Sequence, residues 1–317
     1  MNSRSLILLI ALSLLLSSCG KNPAEPPDEN GGDDGNGATP GLPSPAIDSY
    51  PSWSPDGQTI AFYHHGVVYD PVSDLGESTD PDSEGIWFIA PDGSDKRMFL
   101  KGARLPAWGP PGEWLAFVAG TQIFKIKVNG DSLTQLTFEG RNFFPTWSPD
   151  GKWITYDSNT DSPNGMYFIW KMMMDGSGKR CIAFDPEKGE IRQPHWSLED
   201  GEIVHIRYGY AASGEPEIFT MDTAGASILQ CTHLNAWSIS PKFSYDGAKI
   251  AFASSSGIWI MDRTGENKIQ LTSNGGIEPF WSPDGKHIVY VGPEQTLWIM
   301  DADGGNKRQL TFRPKPV

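Results

Sequence analysis

PTWSPDGKWITY, residues 145–156, is one of six versions of a phrase that runs through the chain. The full phrase has Pro-x-Trp, a Ser-Pro-Asp-Gly turn, an Ile-Ala-Phe run, then Ile-Trp-x-Met-Asp, a glycine and Gln-Leu-Thr. Its copies lie 38 to 55 residues apart and begin at Pro51, Pro106, Pro145, Pro194, Pro241 and Pro279. Such a period indicates a repeat architecture in which each copy is one structural unit.

Each copy divides into four predicted strands. Ser-Pro-Asp-Gly suits a type I turn followed by a glycine in the left-handed conformation, which closes a bulged hairpin between strands one and two. A second aromatic residue, such as Trp170, marks the third strand, and a glycine turn leads to the fourth. Four short antiparallel strands at a period near 40 are typical of a propeller blade. The sequence therefore predicts an all-β fold, a six-bladed β-propeller of four-stranded antiparallel blades over residues 49–313.

Closure of the ring is expected without a shared strand. Blade 1 already has its four strands, around Ser52, Ile60, Trp87 and Met98, and blade 6 has its own, around Phe280, Ile288, Trp298 and Leu310. The residues before Tyr50 are rich in proline, which cannot donate to a ladder. We therefore expect blades 1 and 6 to meet through side chains alone, chiefly Trp53 and Trp281, and this seam to open first.

The first 48 residues differ in composition from the repeat. Arg4 precedes an apolar run, Leu6 to Leu16, that is too short to span a bilayer, so residues 1–18 are predicted to be a secretory signal. Residues 20–48 are Gly-, Pro- and acid-rich and are predicted to form a flexible acidic tether. Residues 314–317 form a short tail.

Leu16-Ser17-Ser18-Cys19 resembles the bacterial lipobox. The resemblance implies cleavage before Cys19 and lipid on its thiol, and more than one acyl chain gives stable anchoring. Gly20 follows the cysteine where an aspartate would direct retention, which by similarity to enterobacterial sorting favours the outer membrane over the inner one. The expected location is the bacterial cell envelope, on its periplasmic or surface side.

The repeat itself resembles the TolB-type β-propeller repeat, which is WD-like and also known as the PD repeat, over residues 51–312. Blade 2 departs from it with Gly109-Pro-Pro-Gly112, and blade 4 has one extra residue in Ser197–Gly201. Nothing in the sequence corresponds to the N-terminal α/β domain of TolB, since the predicted tether occupies that place. The resemblance implies the propeller fold, whereas a role in the Tol–Pal system does not follow from it.

Composition and motifs favour a binding module over an enzyme. The formal net charge of −14 argues against nucleic acid as a partner, because phosphates require a basic patch. There is no Gly-x-Ser-x-Gly nucleophile elbow and no glycine-rich phosphate loop. The expected partner is an envelope protein or a cell-wall glycan.

Two acidic segments and two histidines raise the question of a metal. Asp301-x-Asp303-Gly-x-Asn306 and Asp80-x-Asp82-x-Glu84 have calcium-like spacing, but the first lacks the distal bidentate glutamate and falls on a turn where Asp is favoured anyway. Sugar-acid lyases with related blades hold a metal on propeller histidines, and His195 and His205 could converge in blade 4. We expect no cofactor, with bound calcium and a metal-dependent lyase as the alternatives.

The variable loops define the candidate binding face. Connections between strands two and three, and between blades, differ in length and composition and share one face of the ring, where function concentrates. Aromatic and arginine side chains there suit an interface, although neutral spacers with folded-down aromatics are the alternative. The candidate residues are His64, His65, Tyr69, Arg141, Phe143, Phe144, Arg192, Tyr208, Tyr210 and Trp237.

Overall fold

A computed structural model describes residues 47–69, 77–199, 201–209, 214–234, 236–255 and 257–313. The predicted leader, Cys19, the tether as far as Ala46 and the tail lie outside the described residues. Within the described residues, no helix is long and apolar enough to cross a membrane. The predicted all-β fold is confirmed, since six four-stranded antiparallel sheets succeed one another along the chain.

The first three blades have four strands each, and blade 1 carries an additional hairpin. Blade 1 consists of β1 (Asp48–Trp53), β2 (Ile60–His64), β5 (Gly85–Ile89) and β6 (Arg97–Lys101). Its insertion forms a separate hairpin of β3 (Val67–Tyr69) and β4 (Glu77–Thr79). Blade 2 has β7 (Arg104–Trp108), β8 (Trp114–Ala119), β9 (Gln122–Lys127) and β10 (Thr134–Gln135). Blade 3 has β11 (Asn142–Trp147), β12 (Trp153–Ser158), β13 (Phe168–Met173) and β14 (Arg180–Ala183).

The last three blades repeat the same order. Blade 4 has β15 (Ile191–Trp196), β16 (Ile203–Arg207), β17 (Glu217–Met221) and β18 (Leu229–Gln230). Blade 5 has β19 (Ser238–Phe243), β20 (Lys249–Ser254), β21 (Gly257–Asp262) and β22 (Ile269–Gln270). Blade 6 has β23 (Ile277–Trp281), β24 (His287–Val291), β25 (Leu297–Asp301) and β26 (Arg308–Gln309), with a short 3₁₀ turn at Pro293–Gln295. The first strand of each blade is innermost, and these six strands are neighbours around the ring.

The Ser-Pro-Asp-Gly turns have the predicted geometry. In blade 3 the Ser148 hydroxyl donates to Asp150 Oδ1 at 2.6 Å, and the Gly151 amide donates to the Ser148 carbonyl at 2.9 Å. Gly151 has φ +68°, in the left-handed region that glycine adopts without cost. The hydroxyl bond lowers the pKa of the Asp150 carboxyl. Equivalent Ser–Asp bonds recur at Ser54, Ser244 and Ser282.

The threonine of Gln-Leu-Thr holds the third strand of its blade. Thr137 Oγ1 accepts the Ile123 amide at the start of that strand at 2.8 Å. The preceding glutamine, Gln135, donates its side-chain amide to the Thr137 carbonyl at 2.7 Å. The threonine bond recurs in blades 4, 5 and 6, at Thr232, Thr272 and Thr311. Each threonine satisfies a buried amide that the short outer strand leaves without a ladder partner.

The tryptophan of Pro-x-Trp joins neighbouring blades. Trp108 Nε1 donates to the Ser52 carbonyl of blade 1 at 3.1 Å, and Trp147 Nε1 donates to the Ala107 carbonyl of blade 2 at 3.1 Å. Trp196 Nε1 donates to Thr155 Oγ1 of blade 3 at 2.9 Å. Trp53 and Trp281 have no such bond, since their buried indole nitrogens have no hydrogen-bond partner among the described residues.

The seam between blades 1 and 6 differs in one respect from the prediction. The two blades share no strand, as expected, and Trp53 and Trp281 pack in one apolar cluster that crosses the seam. However, the blades do not meet through side chains alone, because the Ile47 amide donates to the Gln295 carbonyl at 3.0 Å. The residue just before β1 therefore reaches blade 6 through its backbone.

Candidate functional site

Every innermost strand carries a bulge next to the axis of the ring. In blade 1, Ser49 pairs with Tyr63 and Ser52 with Ala61, so two residues of β1 oppose one of β2. The first bulge residue precedes the repeat proline and has a positive φ of 51° to 56° in every blade. We call these six residues the upper ring, and they line the central channel. They are Tyr50, Leu105, Phe144, Gln193, Ser240 and Glu278.

The upper ring divides into an apolar half and a polar half. Blades 1 to 3 contribute Tyr50, Leu105 and Phe144, whereas blades 4 to 6 contribute the side chains of Gln193, Ser240 and Glu278. Tyr50 and Phe144 come from blades that are not neighbours, yet their rings meet edge to face with centroids 5.8 Å apart. Because strand one begins at the variable-loop face, this aromatic contact narrows the channel on that side.

A second set of side chains, the lower ring, lies two residues further along each first strand. Its members are Ser52, Ala107, Thr146, His195, Lys242 and Phe280. Small residues from blades 1 to 3 thus face large ones from blades 4 to 6. The result is a cavity of about 140 Å³, large enough for one side chain. Both rings line it, and it continues toward the turn face, where Pro55, Pro110, Leu198 and Tyr245 also line it.

Lys242 is the cation of this cavity. Its side chain is half-buried, and its ammonium lies 5.9 Å from the centroid of the Phe280 ring. Burial lowers the pKa of Lys242 to about 8, against the opposing effect of Glu278. No ion pair or hydrogen bond to the Lys242 ammonium occurs among the described residues. The channel therefore contains a lysine ammonium that Glu278 stabilises by its charge but that has no direct protein partner among the described residues.

Glu278 occupies the seam side of the upper ring. Its Oε2 accepts the Tyr50 amide at 2.5 Å, so the carboxyl satisfies a backbone donor of blade 1 across the seam. Burial raises the pKa of Glu278 to about 7, although the Tyr50 bond and Lys242 act in the opposite direction. Gln193 has the same role at the junction of blades 4 and 5, since its Oε1 accepts the Ser240 amide at 2.8 Å.

His195 completes the polar wall. Its Nδ1 accepts the Phe243 amide at 3.3 Å, and its ring meets Phe280 edge to face at 5.5 Å across the channel. Burial, with Lys242 as the second cause, holds the pKa of His195 well below its usual range. A neutral imidazole therefore lies beside the Lys242 cation.

A buried ion pair supports the upper ring from the outside. Arg192 Nε contacts Asp157 Oδ2 at 3.2 Å, and the Gln193 amide donates to the same oxygen at 3.3 Å. The Arg192 guanidinium lies 4.2 Å from the centroid of the Tyr167 ring. Burial raises the pKa of Asp157 to about 6, with the Arg192 charge opposing this rise. This pair fixes the backbone of Gln193, a channel residue.

Three residues predicted to be exposed on the binding face are buried. Phe143 fills space beside Tyr167, with ring centroids 5.7 Å apart, and Arg192 is held by Asp157 as described. His64 Nδ1 is hydrogen-bonded to Asp48 Oδ1 at 2.7 Å. For these three, the alternative of side chains folded onto their neighbours applies, because each is buried within or between blades.

The other predicted face residues are distributed around the ring. Phe144 lies in the upper ring, Arg141 is exposed just before β11, and Tyr208 and Trp237 are half-buried against neighbouring clusters. His65 Nε2 is hydrogen-bonded to Ser49 Oγ at 2.8 Å. Tyr69 ends strand β3, and its side chain, like the whole of Tyr210, lies outside the described residues. The described candidates therefore form no single cluster, and of these Phe144 alone lines the channel.

His195 and His205, on which the alternative of a metal site in blade 4 was based, do not converge. His195 pairs with Val204 across β15 and β16, so His205 projects to the opposite face of the sheet. There its Nε2 accepts the Arg207 Nε–H at 2.9 Å, and burial lowers its pKa to about 3. Among the described residues, no three His, Cys, Asp or Glu side chains lie close enough together to hold a metal ion.

The calcium-like segments use their carboxylates within turns. Asp301 Oδ2 accepts the Asn306 side-chain amide at 2.6 Å, and Asp303 Oδ1 accepts the Gly305 amide at 2.8 Å. In the other segment, Asp82 is paired with Lys101. Glu84 Oε1 accepts the Tyr63 hydroxyl at 2.5 Å, away from that pair. Turn geometry therefore accounts for Asp301 and Asp303, whereas Asp82 and Glu84 are engaged by Lys101 and Tyr63.

The channel rings are functional candidates that the sequence interpretation missed. The signal was present in the repeat, because the residue before the proline and the residue after it differ in every copy while their neighbours recur. The positions before and after the proline vary, so packing between strands does not restrict them as it restricts the other positions of the motif. The missing information was the bulge, which turns the residue before proline toward the axis.

The described geometry defines a class of protein: a six-bladed propeller whose channel has an aromatic and a charged wall. The six-bladed β-propeller that the repeat predicted is confirmed, and residues 172–316, a little under half of the chain, are similar to the TolB beta propeller domain family.

Known proteins similar to this chain agree on the fold. An uncharacterized protein of Agrobacterium fabrum is 28% identical over 187 residues, covering 54% of this chain and 59% of that relative, so less than two thirds of its length is matched. A TolB-like structure from Agrobacterium tumefaciens has a TM-score of 0.61 at 20% identity, covering 76% of this chain and 88% of that one. TolB from Acinetobacter baumannii has a TM-score of 0.62 at 22% identity, covering 79% of this chain and 62% of that one.

Proposed function

We propose that this chain is a binding module of the bacterial cell envelope that engages a protein at its variable-loop face, with the channel mouth at the centre of the contact. One observation carries the proposal. Within a motif repeated six times, the two channel-facing positions differ in every blade and sort into an aromatic half and a polar half. Packing of the six blades does not by itself require the channel-facing positions to divide into an aromatic half and a polar half.

The aromatic half suits recognition of a protein. Tyr50 and Phe144 are half-buried and pack edge to face, so each ring is held in place and keeps part of its surface accessible. Aromatic side chains that are held in place contribute large contact area at little cost in conformational entropy, and they are enriched among interface hot spots. A segment of the partner that enters the mouth would meet these two rings first.

The proposed location rests on the sequence outside the described residues. The signal-like run before Cys19 and the lipobox-like motif support export and lipid anchoring, with the outer membrane favoured by Gly20. A tether that ends before Ile47 would have about 27 residues and, as a flexible coil, an r.m.s. reach of roughly 30 Å. The propeller would thus move near the membrane surface and meet partners there. A cell-wall glycan is the other proposed ligand class for this face.

We propose a binding role instead of catalysis. The alternative, a metal-dependent sugar-acid lyase, was based on His195 and His205. Those side chains project to opposite faces of blade 4, so the alternative loses its ligand pair. No other described group of three metal-binding side chains replaces it.

The test is capture of the partner by the full-length chain after chemical crosslinking in intact cells, followed by affinity measurement with the purified partner. Phe144→Ala removes an aromatic ring from the mouth, and we expect it to weaken binding about tenfold or more. Ile228→Ala removes an exposed apolar side chain next to the turn before β18, on the opposite face, and should leave the affinity unchanged.

Thermal unfolding of both variants establishes that each remains folded. Equal affinities for the wild type and Phe144→Ala, or a loss caused by Ile228→Ala alone, would contradict the proposed face. Turnover of uronic-acid polymers by the purified chain would overturn the proposed absence of catalysis.

A further inference from the structure

The geometry points to a carboxylate anchor at Lys242: the channel binds a peptide segment that places a carboxylate on the Lys242 ammonium and an apolar side chain against the aromatic wall. This inference rests on the proposed function, because it names the chemistry of the segment that enters the mouth. The shared chemistry is the carboxylate, which either a chain terminus or an acidic side chain can supply.

The Lys242 cation is isolated within the channel. Lys242 is the lower-ring member of blade 5, and its ammonium has no ion pair or hydrogen bond among the described residues. The Phe280 ring, with its centroid 5.9 Å from the ammonium, is its aromatic neighbour. The half-buried ammonium has no protein partner among the described residues, so an anionic ligand would gain a charge-assisted bond that a neutral ligand would not.

Glu278, the nearest acidic side chain of the rings, is already engaged. Its carboxyl belongs to the neighbouring blade, yet it accepts the Tyr50 amide and forms no ion pair with Lys242 among the described contacts. The same carboxyl therefore stabilises the seam and leaves the lysine available. His195, next to Lys242 on the other side, accepts the Phe243 amide through Nδ1 and is neutral, so it adds no second positive charge to this wall.

The shape of the cavity suits a ligand with two different groups. Lys242 lies opposite the small side chains of Ser52, Ala107 and Thr146, which leave the space between the rings. Above that space, Tyr50 and Phe144 supply an apolar wall. A ligand with one carboxylate and one adjacent apolar group matches both walls at once.

The experiment uses the full-length chain and three acetylated dipeptides. Acetyl-glycyl-phenylalanine has a free terminal carboxylate, acetyl-aspartyl-phenylalaninamide has only a side-chain carboxylate, and acetyl-asparaginyl-phenylalaninamide has neither. Tryptophan fluorescence reports binding, because Trp53, Trp108, Trp147 and Trp196 line the cavity. We expect at least one carboxylate peptide to bind about tenfold or more tightly than the neutral one, as a charge-assisted bond would provide.

Substitutions of Lys242 test whether its ammonium causes the tighter binding of the carboxylate peptides. Lys242→Gln should lower the affinity of the carboxylate peptides to that of the neutral peptide. Lys242→Arg should retain most of the difference in affinity. Lys286→Met, on the exposed turn face, is the matched control and should change nothing. Thermal unfolding shows that each variant is folded.

The preference should also depend on pH. The other titratable side chains lining the cavity are Tyr50, His195, Tyr245 and Glu278. Above pH 7 the ionised Glu278 repels a carboxylate, and above pH 8 the Lys242 cation is lost, so the affinity of the carboxylate peptides should fall as pH rises. Glu278→Gln should remove the fall near pH 7 and keep the fall near pH 8.

Three results would overturn the inference: equal affinity for charged and neutral peptides, no binding of any peptide, or a preference that survives Lys242→Gln. Each of them would leave the proposed function standing if Phe144→Ala still weakened binding of the cellular partner. If the carboxylate preference were absent and Phe144→Ala also left partner binding unchanged, the channel mouth would have no role in binding.

Discussion

At the scale of single residues, the repeat motif consists of side chains that satisfy specific backbone groups. Thr137 shows this most simply, since its Oγ1 holds the Ile123 amide at 2.8 Å inside blade 2. Leu136, beside it, is buried and holds the outer strand to the core. The motif thus recurs because the same amide has to be satisfied in blades 2, 4, 5 and 6, and the threonine is a structural residue.

Thr137→Val should lower the free energy of unfolding by about 1–3 kcal/mol, because the valine leaves the buried Ile123 amide without an acceptor. Thr134→Val is the matched control in the same blade, since Thr134 is exposed and its hydroxyl donates to the Ser132 carbonyl in a local turn. Chemical denaturation of both variants measures the difference. A cost for Thr134→Val as large as that for Thr137→Val would refute the assigned role.

Glu278 should make the stability depend on pH. Its carboxyl has a pKa of about 7 in the fold, against 4.5 when exposed, so the folded state holds the proton more tightly. The stability from this group is therefore complete below pH 4.5 and is lost as pH rises through 7. Relative to Glu278→Gln, the wild type should lose on the order of 2–3 kcal/mol between about pH 5 and pH 8.

The measurement is the difference in unfolding free energy between the wild type and Glu278→Gln at several pH values. Taking a difference cancels the opposite contribution of His205, whose lowered pKa destabilises the fold as pH falls below 6.5. A difference that is constant with pH would show that the Glu278 carboxyl is not buried in the way described.

At the scale of strands and blades, the sequence predicted what local chemistry determines. The turns at Ser54 and Ser148 and the four-strand order followed from Ser-Pro-Asp-Gly and from the spacing of aromatics. The bulges did not, because a non-glycine residue before proline is locally unfavourable in the left-handed region. Leu105 and Phe144 adopt it, with φ of 53° and 51°, since closing six inner strands around an axis requires it.

The candidate site was only partly predictable for the same reason. Phe144 was identified from its loop, but Lys242 and Glu278 belong to blades whose first strands look like ordinary repeats. Their importance emerges only when the ring brings positions from blades 5, 6 and 1 together. Burial of Phe143 and Arg192 was likewise invisible to a single-sequence argument, since it depends on the neighbouring blade.

Junctions between blades provide a matched test of the tryptophan bond. Trp147 and Trp53 are equivalent residues, and both are buried, but within the described residues only the Trp147 indole has a partner, the Ala107 carbonyl. Trp147→Phe should cost about 1–2 kcal/mol more unfolding free energy than Trp53→Phe, since only the first change breaks a hydrogen bond. Denaturant titration measures both values, and equal costs would contradict the assignment.

At the scale of the whole molecule, the seam is the junction between blades that no chain connection crosses. It has the shared cluster around Trp53 and Trp281, the Ile47–Gln295 backbone bond and the Glu278–Tyr50 bond. In the part of the chain that the structure describes, it lacks the tryptophan bond that joins blades 1 to 4. The seam therefore depends on packing, on these two bonds near the variable-loop face and on the Arg308 guanidinium, which donates to the Pro91 carbonyl of blade 1 at 2.5 Å.

Hydrogen exchange followed by mass spectrometry should find β1 and β23 exchanging faster than β11 and β15, because the seam opens first. The blade 3–4 junction is the proper reference, since it has both a chain connection and the Trp196 bond. Equal protection at the two junctions would show that the apolar cluster alone makes the seam as strong as the rest.

The central claim is that the variable-loop face binds a protein partner, and site-specific photo-crosslinking in intact cells tests it most directly. A photoreactive residue replaces Arg141, exposed beside the mouth, in one strain and Gln58, on the turn face, in another. We expect a discrete crosslinked partner from position 141 and none from position 58. Crosslinking from position 58 alone, or from neither position, would contradict the claim.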